Sequence, residues 1–242
     1  MSSQPILNVD KLTKVFETEY GEISLFNELC AEVREGDFAA ITGPTGVGKT
    51  TFINIIAGLE EPSAGTVTVL GKDVTTMDDD VLTEFRARNI GLVFQGAQLI
   101  SHINVFRNVE VPLVIQGVEE SERMRRTQDM LEFFGLTQKA SSYPAALSVG
   151  EKRKVAIARA LVTEPPLLLM DEPTEGLDSP TVNILTPLLR GIHYLHRGTI
   201  LMATNSLSLS KMASREIPIM RPKLMIPSQS QEVITCSKNE HH

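Results

Sequence analysis

Eight consecutive residues, Gly43-Pro44-Thr45-Gly46-Val47-Gly48-Lys49-Thr50, match the pattern G-x-x-x-x-G-K-[ST] of a phosphate-cradling loop. Glycines let the backbone curl so that several N–H groups point inward at phosphate oxygens. A helix starting near Lys49 adds its positive dipole end. In this reading Gly43, Thr45, Gly46, Val47, Gly48 and Thr51 surround the phosphates, Lys49 reaches the β and γ groups, and the Thr50 hydroxyl holds Mg²⁺. Downstream, the apolar run Leu167-Leu168-Leu169-Met170 ends in Asp171-Glu172. Neighbours on a strand point to opposite faces, so the two carboxylates can serve different tasks. Asp171 is placed for the magnesium shell and Glu172 to orient or deprotonate an attacking water. An acidic pair after a strand is by itself more often a solvated turn; the phosphate loop gives it weight. In a third stretch, Leu147-Ser148-Val149-Gly150-Glu151, Ser148 and Glu151 form the S-x-x-E capping box, which taken alone describes a well-capped helix.

These groups need a scaffold to meet. Residues 38–42 form a short apolar run that stops at Gly43, as in a strand buried on both faces of a parallel sheet. Lys49–Ala57 then predicts a helix, with Gly58 as its C′ residue. Further strands are predicted at 6–16, 23–33, 66–70, 90–94, 167–171 and 199–203, and helices at 78–88, 120–134, 150–162 and 181–195. The alternation predicts an α/β fold with a mainly parallel sheet covered by helices. Residues 96–148 break it with helix-like sequence, in which Met124, Thr127, Leu131 and Phe134 fall at helical spacing, so an inserted helical subdomain is expected. Residues 226–242 read as a loosely ordered tail, its last two histidines a solvated terminus more than a metal site.

Composition bounds the function. With 242 residues, 42% hydrophobic and 22% charged, the chain has side chains for one sizeable core. The net charge of −7 argues against nucleic acid as a partner. The apolar stretches, such as Pro165–Met170, fall far short of the roughly 20 residues that span a bilayer, and the first residues show no export signal. A cytoplasmic location is therefore expected. Cys30 and Cys236 are too few for a disulfide framework and read as reduced thiols.

Together, in this order and spacing, the three motifs resemble the ATP-binding cassette (ABC) ATPase family over about residues 6–225. The resemblance implies a P-loop NTPase fold: an α/β core of residues 1–95 and 149–225 with an N-terminal antiparallel β part, a helical subdomain over 96–148, and a tail over 226–242. Leu147–Glu151 resembles the family's signature, so that Ser148, Val149, Gly150 and Glu151 would complete the ATP site of a second subunit. Gly91–Gln95 is similar to the Q-loop, whose glutamine senses Mg²⁺ and the attacking water, and Glu175–Asp178 to the D-loop. Phe16 stands where the family often stacks an aromatic ring on adenine. Gly43–Gly46, Val93–Gln95 and Asn108–Leu113 resemble the subgroup of lipoprotein release, macrolide export and bacterial division, the LolD/MacB/FtsE type.

The resemblance further implies ATP and Mg²⁺ as ligands and a head-to-tail homodimer or paired cassette. It also implies transmembrane permease subunits against which the helical subdomain docks, and a peripheral place on the inner face of the cytoplasmic membrane. Hydrolysis would energise export or extraction of a substrate. Three residues depart from the pattern. Asn205 stands in place of the switch histidine, and asparagine carries no positive charge and shuttles no proton, so slow hydrolysis is expected. Val149 replaces a glycine, adding bulk where phosphate must approach. Glu151 replaces the common glutamine, a minor change. Two functions stay open: an ATP-hydrolysing transporter subunit, supported by Lys49, Thr50, Gln95, Asp171 and Glu172, or an ATP-gated dimerising module with weak turnover, favoured by Asn205 and Val149.

Overall fold

The computed structural model describes residues 5–19, 21–196 and 198–220. The tail expected over 226–242, with Cys236 and the terminal histidines, lies outside the described residues.

Two sheets form the α/β body. β1 (Pro5–Thr18) pairs antiparallel with β2 (Gly21–Arg34) and with β4 (Ala64–Val69), and β5 (Lys72–Asp73) extends the edge. The second sheet is parallel, with strand order β6-β7-β8-β3-β9. Its members are β3 (Phe38–Thr42), β6 (Ile90–Val93), β7 (Leu167–Asp171), β8 (Thr199–Ala203) and β9 (Arg215–Pro218). The expected strands all form. Two further strands, β5 and β9, carry weak patterns: β5 has two residues, and in β9 only Ile217 is buried.

Alternation along the parallel strands divides the interior in two. In β7, Leu167 and Leu169 face a core shared with the antiparallel sheet, α1 (Lys49–Ile56) and Phe85 of α2 (Asp79–Asn89). Leu168 and Met170 face a second core under α5 (Val149–Leu161) and α6 (Ser179–His196). Burial on both faces is why these strands read as unbroken apolar runs. Helix α5 lies almost against the sheet: a Cβ on Gly91 would sit 2.4 Å from the Ala160 carbonyl oxygen, so only glycine admits this approach.

Between β6 and α5 the chain forms α3 (Val105–Ile115) and α4 (Glu120–Phe133), which pack on each other and on α5. Asn108 and Glu110, from the stretch that carries the subgroup resemblance, are buried here. The Asn108 amide donates to the carbonyls of Ile100, Ile103 and Asn104 and accepts from the Ile100 N–H, so one side chain ties the preceding loop to α3. Glu110 is held between Arg107 (2.5 Å) and Arg123 (3.1 Å), which compensates a carboxylate with 1% exposure.

Candidate functional site

The C-terminal ends of β3, β7 and β8 converge with the N-terminus of α1, the usual place for a ligand in an open parallel sheet. Gly48 opens α1 with φ +109, a left-handed conformation, and a Cβ there would meet Phe26 and Leu25 at 3.1 Å. No side chain caps this helix. Its first-turn N–H groups are therefore left for an anion, with the helix dipole behind them.

Lys49 is 6% exposed and carries the local positive charge. Its Nζ donates to the Gly43 carbonyl at 3.1 Å, the Pro44 carbonyl at 3.3 Å and Asn205 Oδ1 at 2.8 Å, and lies 3.5 Å from Glu172 Oε1. The Thr50 hydroxyl donates to Asp171 Oδ2 at 2.8 Å. Strand parity explains that contact: Asp171 follows Leu167 and Leu169 onto the face covered by α1. Glu172 would alternate away, but its φ of +43 turns the chain and brings its carboxylate beside Lys49. The Asn205 N–H donates to Glu172 Oε2 at 3.0 Å and the Asn205 amide to Thr45 Oγ1 at 3.3 Å, so Asn205 spans the loop, the lysine and the carboxylate.

Burial pushes the carboxyl groups of both Asp171 and Glu172 above the ordinary range, against the pull of Lys49 and their hydrogen bonds. Asp171 Oδ1 is buried with no hydrogen-bond partner, and Glu172 Oε1 has only the lysine charge nearby. Such groups are underused acceptors in the absence of a cation or a water.

A cavity of about 330 Å³ is lined by Thr45, Lys49, Thr50, Glu172 and Asn205, with Thr51, Gln95 and Glu175 on its other walls, and Asp171 lies behind Thr50. The Gln95 amide donates to the Glu175 carboxylate. Phe16, expected against adenine, does not line this cavity; its ring is 38% exposed and carries the Lys14 ammonium 4.8 Å from its centre. Ser148, Val149, Gly150 and Glu151 open α5 and do not line it either. Asp178 instead accepts from the Thr181 N–H at 3.2 Å, at the start of α6. A larger depression of about 840 Å³, between Phe38, Arg190, His193 and Lys211, contains none of the motif residues.

The capping box is complete: Ser148 Oγ accepts from the Glu151 N–H at 3.2 Å and a Glu151 carboxylate oxygen accepts from the Ser148 N–H at 2.8 Å. The Ser148 N–H, helped by the Ser148 hydroxyl and by Lys139 at 3.4 Å, holds the Glu151 carboxyl below the ordinary glutamate range. A lowered pKa contributes stability above the unfolded-state value, and this is lost as pH falls through the folded one. Glu151→Ala is expected to cost about 1 kcal/mol, a melting shift of about 2–4 °C. The deficit should shrink on acidification below about pH 4.5, since protonation removes the same acceptor from the parent chain. Thermal melts of the parent and variant over a pH series check this; a deficit constant with pH contradicts it.

Comparison with known proteins sets this geometry in a family. Residues 26–175 match the family model described as ABC transporter. This chain belongs to the ABC transporter family. It is 36% identical over 212 residues to the lipoprotein-releasing system ATP-binding protein LolD of Bacteroides thetaiotaomicron, covering 88% of this chain and 95% of that protein. It is 38% identical over 217 residues to the methionine import ATP-binding protein MetN of Brucella abortus (strain 2308), covering 89% of this chain and 58% of that protein. The chain thus spans less than two thirds of the length of its methionine-import relatives. Among solved structures, the ATP-binding cassette MJ0796 in a dimeric post-hydrolysis state bound to ADP and Pi superposes with a TM-score of 0.82 at 33% identity, over 88% of this chain and 94% of that one. The P-loop NTPase fold expected from the motifs is that of these ABC cassettes, and the resemblance to the lipoprotein-release subgroup is matched by the LolD similarity.

Reading the motifs did not single out three residues of the site. Glu175 is only the first residue of the D-loop-like stretch, Leu25 comes from β2, and Arg153 lies behind the cavity, buried on α5. Arg153 left a trace: a charged residue in helical register with the buried Ala156, Ile157 and Ala160.

Proposed function

We propose that the chain is the ATP-binding, ATP-hydrolysing subunit of an ABC transporter-type membrane complex. One observation carries this reading: Lys49, the Thr50–Asp171 pair and Glu172 converge at an uncapped helix N-terminus over one cavity. Phosphate oxygens suit the free N–H groups and the lysine. The Thr50 hydroxyl, the unpartnered Asp171 oxygen and the Gln95 amide are oxygen donors of the kind Mg²⁺ prefers, so the residues present fit that ion. When bound, the ion supplies charge neutralisation at the phosphates. Glu172, its proton affinity raised by burial, is placed as the base that takes a proton from water, and Asn205 holds it through the backbone N–H.

The exposed signature residues Ser148 and Val149, at the start of α5, support a head-to-tail dimer in which they face the partner's γ-phosphate. The dimeric state of the MJ0796 cassette points the same way. Among the described residues no helix is long and apolar enough to cross a membrane, and the proposed partners are transmembrane permease subunits. The proposed place is peripheral, on the inner face of the cytoplasmic membrane. Similarity along 95% of the lipoprotein-releasing protein supports export or extraction as the proposed direction, beside methionine-import relatives of similar identity.

A second reading has its own support. Asn205 lacks an ionisable group, and Val149 is 60% exposed where the signature meets phosphate. Both favour an ATP-gated dimerising module with weak turnover. Mg²⁺-dependent ATP hydrolysis over a protein-concentration series separates the two. Specific activity that rises with concentration supports the ATPase; nucleotide-driven dimerisation without turnover, with or without permease subunits, supports the gated module.

A further inference from the structure

Arg153 is the one charged side chain on the buried face of α5, with 4% exposure. Its guanidinium donates to three backbone carbonyls in two loops: Phe94 at 2.9 Å, Gln95 at 2.5 Å and Glu175 at 3.3 Å. Burial disfavours this cation, and the negative charges that support it are Glu175 first and Asp171 second. A desolvated arginine is costly, and an apolar residue would fill the space at less expense. What arginine adds is its rigid fork, which holds several carbonyls in one arrangement.

Those carbonyls flank Gln95 from both sides. Gln95 follows β6 and Glu175 lies in the turn after β7, its N–H donating to the Glu172 carbonyl at 3.0 Å. The Glu175 carboxylate accepts from the Gln95 amide. An ionised carboxylate has no proton to give, so the end of the amide that faces it must be the NH₂. The Gln95 side-chain oxygen, Oε1, is then left for another partner, and both side chains line the cavity that holds Thr50. An exposed glutamine otherwise samples many rotamers and both amide orientations, and ordering it costs side-chain entropy.

We propose that Glu175 and Arg153 are positioning residues that grip Gln95 by its side chain and by its backbone, presenting its amide oxygen to a divalent cation in the cavity. This rests on the ATPase reading above. Outer partners of this type typically change metal affinity by about 10–100-fold when removed.

The test uses the full chain and a fluorescent, non-hydrolysable ATP analogue titrated in EDTA and in Mg²⁺. The quantity read is the metal enhancement, the ratio of the two affinities. Glu175→Gln, whose amide can donate as well as accept, should lower the enhancement about tenfold, with the affinity in Mg²⁺ itself weakened. Gln95→Ala should lower it comparably, and adding Glu175→Gln to Gln95→Ala should change nothing more. Arg153→Gln should act in the same direction, with a melting curve to confirm folding. A parent-like enhancement in folded Glu175→Gln overturns the proposal. So do additive effects in the double variant, which would mean that Glu175 acts by charge alone. A parent chain with no affinity for the analogue under either condition overturns the ATPase reading itself, before any variant is compared.

Discussion

Glu172→Gln is expected to lower Mg²⁺-dependent ATP turnover by about 10²–10⁴-fold, the range for removing a positioned general base. Nucleotide affinity should stay within a few fold. The Glu172 oxygens meet Lys49 and the Asn205 N–H, and a glutamine carbonyl can still accept from either. ATP should therefore drive a dimer that accumulates in the variant and is transient in the parent. The pH profile gives a second readout. Burial raises the Glu172 carboxyl, and the base acts only when deprotonated, so activity should fall as pH drops through a value above that of an ordinary glutamate. Single-turnover rates beside analytical sizing with ATP would check both; a variant that keeps parental turnover removes Glu172 from the mechanism.

Asn205→His is expected to raise turnover by about ten- to a thousandfold, or roughly 1–4 kcal/mol of transition-state stabilisation. The position is already wired for the task. Asn205 accepts from Lys49 at 2.8 Å, donates to Thr45 Oγ1 at 3.3 Å and offers its N–H to Glu172, and the residue is exposed enough for a larger ring. What it lacks is a group that can carry charge or relay a proton. Asparagine thus preserves the hydrogen-bond connections of the site without an ionisable group. Steady-state hydrolysis with permease subunits present is the appropriate assay, and no gain in the histidine variant would contradict the argument.

Local chemistry was legible because it resides in contiguous residues. The phosphate loop, the Ser148–Glu151 cap and the apolar strands can each be read from short windows, since glycine conformations, caps and periods are local properties. The expected strands accordingly appear within a few residues of their places. The helical stretch after Gln95 was visible in outline, but α3 contains Pro112 and the buried polar residues Asn108 and Glu110, which blur an amphipathic pattern.

Residue types by themselves determined that this chain holds a phosphate loop, an acidic pair at the end of a buried strand, and an asparagine at position 205, just after β8, where the resemblance implies a histidine. Tertiary structure alone decided which of them meet. It brought Thr50 against Asp171, residues separated by 121 positions, and Lys49 against Asn205, separated by 156. It also turned Glu172 toward the lysine through a positive φ, although strand alternation sends it to the opposite face. It left Phe16 off the walls of the cavity and put Glu175 and Arg153 around Gln95. Periodicity reports which face of an element is buried, whereas strand order and the loops that close over the strand ends determine which buried faces come together.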